Sequence, residues 1–164
     1  MLFRSTELRE LARLEVDTEA TPAQLAACLA KIKASWSHLG AVTPHFSVLT
    51  DNRFLPDGLA AALGDFWATG RIEAEVTIRT FERHGLSLSG KTCVEYGCGV
   101  GRVTTSLSRS FASIDAYDIS ATHLALAQQR AREMGVGNVR FHECQVDSLV
   151  DLERCDAFYC RLVF

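Results

Sequence analysis

Only three prolines occur in 164 residues, and no low-complexity tract, which excludes a proline-rich linker or a globally disordered chain. No apolar run approaches the roughly 20 residues of a membrane span. The start, Met1-Leu2-Phe3-Arg4, turns charged at Glu7, Arg9 and Glu10, so no secretory core is expected and no membrane partner. Positive charge is not in excess: 17 Lys and Arg face 20 Asp and Glu, a net −3, which argues against nucleic acid as a partner. The six cysteines, Cys28, Cys93, Cys98, Cys144, Cys155 and Cys160, form no Cys-x-x-Cys pair, and no histidine pair stands at helix spacing. No metal site is expected; the cysteines read as small buried hydrophobes of a protein in the reducing cytoplasm. What is present is ordinary for a globular chain, with 48% hydrophobic and 23% charged residues.

The character of the chain changes near Ser87. Residues 1–86 read as an N-terminal helical extension, and residues 87–164 as an α/β unit. Ser5 to Leu14 has a charged, helical pattern. Thr21-Pro22-Ala23-Gln24 is an N-cap, a first-turn proline and a capping-box glutamine. Leu25, Cys28, Leu29, Ile32 and Trp36 follow at helical spacing, ending near Gly40. Residues 41–58 look like a loop, with Pro44, Pro56 and Asp57-Gly58. One helix is expected over 59–68 and, after Gly70, a second up to His84-Gly85.

Beyond Ser87 the period shortens. Strands are expected over 91–96, 114–118, 139–144 and 156–163, with helical spacing at Val100, Val103, Leu107 and Phe111 between the first two. A helix over 121–134, capped by Ser120 and ended by Gly135, joins the second strand to the third. Alternating strands and helices with short connections predict a parallel sheet.

The stretch richest in chemistry is Glu95-Tyr96-Gly97-Cys98-Gly99-Val100-Gly101-Arg102. Alternating glycines between a strand and a helix permit a tight turn and a close approach by a ligand. A dinucleotide fingerprint needs glycine where Arg102 stands, and the Gly-Lys-Ser/Thr of a P-loop is absent. Glu95 under the loop repels diphosphate but suits a cation. Asp118, ending the next strand, can accept hydrogen bonds from two ribose hydroxyls. A ligand combining adenosine, a sulfonium and an amino acid meets all three demands, and S-adenosylmethionine is such a ligand.

Residues 91–164 resemble the front half of the class I S-adenosylmethionine-dependent methyltransferases. The resemblance rests on four blocks in order: Val94 to Gly101, Ile114 to Ser120, Asn138-Val139-Arg140-Phe141 and Cys155-Asp156-Ala157-Phe158-Tyr159. It implies a partial Rossmann-like sheet of about four strands in the order 3-2-1-4, preceded by the helical region. It further implies that Gly97, Cys98, Gly99 and Gly101 line the cofactor, that Glu95 fixes the loop and the amino group, and that Asp118 holds the ribose. Ile119 would pack on the adenine. Gln145 stands where the family usually has an acid near the adenine amino group, with Val146 offering its amide; Asp147 fits if the register shifts by two. Cys160 and Arg161 fall where the methyl-donor pocket is lined.

Trp36, His38, Pro44, His45, Phe66, Trp67, Gly70 and Glu73 precede the sheet, where such proteins cover the cofactor and contact substrate; individually they read as packing and surface residues. His123 is expected on an exposed helix face and His142 on a strand face, and none of the five histidines is assigned as a base. The expected activity is methyl transfer to a small-molecule acceptor, a saccharide or other hydroxyl. The alternatives are a cofactor-binding module without turnover and a nicotinamide-dependent oxidoreductase, the latter disfavoured by Arg102 and Glu95. With fewer strands than that family's sheet carries, the chain reads as the N-terminal part of a longer enzyme. Its exposed fourth-strand edge offers pairing to another copy or subunit.

Overall fold

A computed structural model describes residues 19–144, 155–161 and 163. The expected helix at 5–14 and the positions Gln145, Val146 and Asp147 lie outside the described residues.

Helix α1, Pro22–Val42, begins as its sequence dictates. Thr21 Oγ1 accepts from the Gln24 amide, and Gln24 Oε1 accepts from the Thr21 amide at 2.9 Å, so two orphan donors of the first turn are satisfied reciprocally. Its apolar stripe is not swallowed by a core. Leu25 and Ile32 are about half exposed, and Gly40 is the buried residue of the helix.

The segment read as a loop instead contains helix α2, Pro44–Val48, and a 3₁₀ turn at Asn52–Phe54 capped by Asp51. Prolines at first helical positions start elements here rather than interrupting them. Where two helices were expected there is one, α3, Pro56–Arg83. Gly70 does not break it. A Cβ at that position would lie 2.0 Å from the Arg102 carbonyl oxygen, so this glycine serves a close backbone approach within a continuous helix.

Four strands follow: β1 Thr92–Tyr96, β2 Ser113–Asp118, β3 Val139–Glu143 and β4 Ala157–Cys160. All pairs are parallel, in the order β3-β2-β1-β4. Between β1 and β2 only Thr104–Leu107 forms a regular helix, α4, shorter than the spacing of Val100, Val103, Leu107 and Phe111 suggested. All four are nevertheless buried, because the tight glycine loop consumes the first helical turn. Helix α5, Ala121–Glu133, starts on Ser120, whose side chain accepts from the His123 amide.

One core lies between the sheet and its helices, with Cys93, Ile114, Ala116, Leu107 and Leu124 at its centre and Ala74, Ile78 and Phe81 of α3 packed into it. A second joins the helical region to the glycine loop through Phe54, Ala62, Phe66 and Val100. There Phe66 meets Phe54 edge-on at 5.1 Å. Among the described residues, no helix is long and apolar enough to cross a membrane.

Candidate functional site

The carboxyl ends of parallel strands are where an open α/β sheet presents its ligands, because connections diverge there on either side. In this chain that edge holds a cleft of about 390 Å³, within the size range of small-molecule sites. Glu95, Gly97, Cys98, Gly99, Asp118 and Ile119 all line it. Gly101 and Cys160 are not among its lining residues. Gly101 faces α5, where an added Cβ would fall 3.2 Å from that of Ala127, and Cys160 ends β4, half-buried beside the site.

The loop is tied down from beneath. The amides of Gly97 and Cys98 both donate to the Tyr117 carbonyl, at 2.8 and 2.9 Å. Gly97 and Gly99 have φ of +79° and +54°, the left-handed region that L side chains resist. Asp118 organises the neighbouring turn: Oδ2 accepts from the Gly99 amide at 2.8 Å and Oδ1 from the Ser120 amide at 2.9 Å. Each carboxylate oxygen retains acceptor capacity, since it carries two lone pairs.

Glu95 occupies the floor, 3% exposed, and its Oε2 has no hydrogen-bond partner among the described residues. Burial pushes its carboxyl up to about 8, against the lowering influence of the Thr104 hydroxyl and the Arg102 guanidinium. Burial likewise raises the Cys98 thiol well above its ordinary value, with Glu95 and Asp118 adding to the effect. A neutral, buried thiol there is a packing group, not a nucleophile.

The helical region forms the roof. Leu29, Ile32 and Trp36 of α1 and Val48 of α2 line the cleft. A Cβ on Gly99 would lie 2.6 Å from Val48 Cγ2, and one on Gly97 would lie 2.1 Å from Val163 Cγ2. The close approach the glycines permit is therefore shared with two valines of the chain. Helix α1 rests on α5 at Gly40, where a Cβ would clash with Thr122, Ser120 and His123. Lys33 reaches Glu143 at 2.9 Å.

His123 corrects the expectation of an exposed helix residue. It is 1% exposed and its Nε2 lies 2.9 Å from Ser47 Oγ, joining α5 to α2. Burial lowers its proton affinity, opposed by the Asp118 charge; His45 is lowered by burial and by His123. His142 sits on the strand face as expected, 2.7 Å from Asp115.

A polar cluster missed by sequence reasoning closes the β4 end. Glu73 of α3 accepts from Arg102 Nη2 at 2.6 Å and from the Tyr159 hydroxyl, and lies 2.9 Å from Arg161 Nη1. Arg102 Nη1 also donates to Thr69 Oγ1 at 3.1 Å. Glu73 is held below the ordinary carboxylate value because these donors outweigh its burial. Gly70 was the available signal: a glycine inside a helical pattern, three residues before an acid, marks a helix pressed against another backbone.

The fold and cleft define a class: a parallel α/β domain whose glycine loop and strand-end acid line a cleft of small-molecule size. Residues 93–164 match the family model described as a methyltransferase domain. The ubiquinone biosynthesis O-methyltransferase of Paracidovorax citrulli (strain AAC00-1) is 28% identical over 64 residues, 39% of this chain and 27% of that protein. Among solved structures, Haemonchus contortus phosphoethanolamine N-methyltransferase 1, in complex with phosphoethanolamine and S-adenosylhomocysteine, superposes with a TM-score of 0.60 at 18% identity. That match covers 90% of this chain and 27% of the other. The magnesium protoporphyrin IX methyltransferase of Synechocystis PCC 6803, with bound S-adenosylmethionine, gives 0.45 at 25% identity, over 56% of this chain and 44% of that one. The match to a methyltransferase domain is confined to residues 93–164, the part that carries the sheet and the glycine loop, and the Haemonchus contortus enzyme shares the fold. The chain spans about a quarter of the length of the first two relatives.

Proposed function

We propose that this chain binds S-adenosylmethionine in the cleft and forms the cofactor-binding part of a methyltransferase acting on a small-molecule hydroxyl. The observation that carries the reading is Glu95: a fully buried carboxyl with an orphaned oxygen at the root of a glycine loop. Leaving such an atom unpaired costs about 1–3 kcal/mol, and a ligand ammonium would satisfy it. When bound, the cofactor supplies a methyl group already activated by its sulfonium.

The protein's part is positioning and exclusion of water. Asp118 takes the ribose hydroxyls on the acceptor capacity its backbone partners leave. Ile119, with Ile32 and Trp36 of α1, forms the apolar wall for the adenine. By their place in the sequence, Gln145 would accept from the adenine amino group and Val146 would offer its amide to the ring, and Cys160, at the end of β4, would stand at the methyl end. Glu95 holds a proton below about pH 8, and pairing with an ammonium would release it, so binding should strengthen as pH rises toward that value. An oxygen acceptor is supported by the oxygen-directed activity named for the P. citrulli relative.

Calorimetric titration with S-adenosylhomocysteine, S-adenosylmethionine and NAD tests the reading. Micromolar binding of the first two and none of NAD is expected; binding of NAD alone overturns it. Asp118→Ala should weaken S-adenosylhomocysteine by about 1–3 kcal/mol, and unchanged affinity would remove the ribose role.

A further inference from the structure

We infer that Arg161, held by Glu73 at the mouth of the cleft with Arg102 behind it, forms a subsite for an anionic oxygen group, carboxylate or phosphate, carried by the methyl acceptor. The inference rests on the cofactor reading above and deepens it by naming an acceptor class.

Charge bookkeeping in the cleft points this way. Two acids of its lining stand at opposite ends: Asp118 is engaged by the Gly99 and Ser120 amides, and Glu73 is shared among Arg102, Arg161 and Tyr159. One carboxylate therefore faces two guanidiniums at the β4 end. Glu95, the remaining acid of the lining, is taken up by the cofactor's ammonium in the reading above and so cancels nothing at the β4 end. That leaves one uncompensated positive charge where a sulfonium would add another. In a partly desolvated cleft such like charges repel strongly, and an anion relieves both.

The two arginines are not equivalent. The Arg102 side chain is 6% exposed and committed to Glu73 and Thr69, so it contributes field rather than contact. The Arg161 side chain is 54% exposed, lines the cleft, and among the described residues pairs with Glu73 through Nη1 alone. The Glu73 contact anchors one Nη while more than half of the side chain stays exposed. A planar guanidinium presents paired N–H groups matched to carboxylate or phosphate oxygens. Position favours the acceptor over the cofactor's own carboxylate. Arg161 follows the end of β4 with its side chain 54% exposed, whereas the loop end at Gly97 is overlaid by Val163.

The test uses the full chain saturated with S-adenosylhomocysteine and inorganic phosphate as probe, followed by calorimetry and by the arginine side-chain Nε NMR signals. Phosphate should bind saturably, at least tenfold more weakly in Arg161→Met, and within threefold of the parent in Arg161→Lys. S-adenosylhomocysteine affinity should change less than twofold in Arg161→Met. Non-saturating phosphate, or equal binding to Arg161→Met, overturns the subsite. A tenfold loss of S-adenosylhomocysteine affinity in Arg161→Met, with 5′-methylthioadenosine unaffected, assigns Arg161 to the cofactor carboxylate and equally overturns the proposal. If the parent chain binds no S-adenosylhomocysteine, the cofactor reading itself falls, a result separate from the phosphate outcome.

Discussion

The roof and the sheet are held by different physics. In the sheet region, Cys93 and Val94 of β1 are buried, and Ile114, Ala116 and Leu107 are entirely shielded, so stability there comes from continuous apolar burial. The roof helices α1 and α2 are held at points. Gly40 abuts α5, Ser47 bonds His123, and Lys33 meets Glu143, while Leu25, Ile32 and Val42 remain substantially exposed. Helix α3 belongs to both worlds: Ala74, Ile78 and Phe81 join the sheet core, whereas Ile72 and Val76 face water. Helix α1 is thus attached at a few polar and close-packed points, whereas Val48 of α2 also packs on the second core.

That contrast can be broken at its tightest point. Gly70→Val would drive a branched Cβ into the Arg102 carbonyl, at a cost of about 3 kcal/mol. Urea denaturation should show the loss, and S-adenosylhomocysteine affinity should fall with it because Arg102 and Glu73 separate. Stability unaffected by this change would mean that α3 is not pressed on the loop.

The next effect is a pH dependence confined to the sheet. The Glu95 carboxyl lies near 8 when folded, against an ordinary value of 4.5. Its contribution to stability is therefore full below about 4.5 and is lost as pH rises toward 8. In Glu95→Gln this decline should disappear, so the variant gains on the parent progressively across that window in denaturation titrations. Parallel curves for the two proteins would contradict the buried, protonated carboxyl.

The roof should respond in the opposite sense. His45 and His123 are lowered from 6.5, so their contribution is present above about 6.5 and lost as pH falls below it. Protection of the amides at 45–48, relative to their intrinsic exchange rates, should fall on acidification before that of β1 and β2. Removing the latch with Ser47→Ala should cost about 0.5–1.5 kcal/mol and speed the same amides at neutral pH. The smallest effect sharpens the comparison within one helix. Gly64 has open space around its Cβ direction, so Gly64→Ala should stabilise by about 0.5–1 kcal/mol, opposite in sign to the change at Gly70.

Legibility followed the range of the interactions. The capping box at Thr21 and Gln24, the Ser120 cap and the strands of 92–118 depend on neighbours within a few residues, and all were readable. The strand-end acid Asp118 was readable because loop, strand and acid are adjacent in sequence. The single helix through Gly70 was not, since the reason for that glycine lies at Arg102, far along the chain. Likewise His123 has the spacing of a surface residue on α5, and only α1 and α2 arriving from above bury it. The short helices at 44–54 were hidden because proline reads equally as a loop residue and as a helix start.

Sequence alone determined the alternation of strand and helix, the glycine loop with acids before and after it, and the resemblance those blocks carry. Each is written in local spacing and residue chemistry. Only the tertiary structure decided how the helical region sits: which glycines are contacts, which histidine is a latch, and that Glu73 gathers Arg102, Tyr159 and Arg161 around one carboxylate. Those groups stand far apart in the chain, and an ion cluster leaves no periodic trace in sequence. Packing brings it together, and packing makes the cleft polar at one end and apolar along its roof.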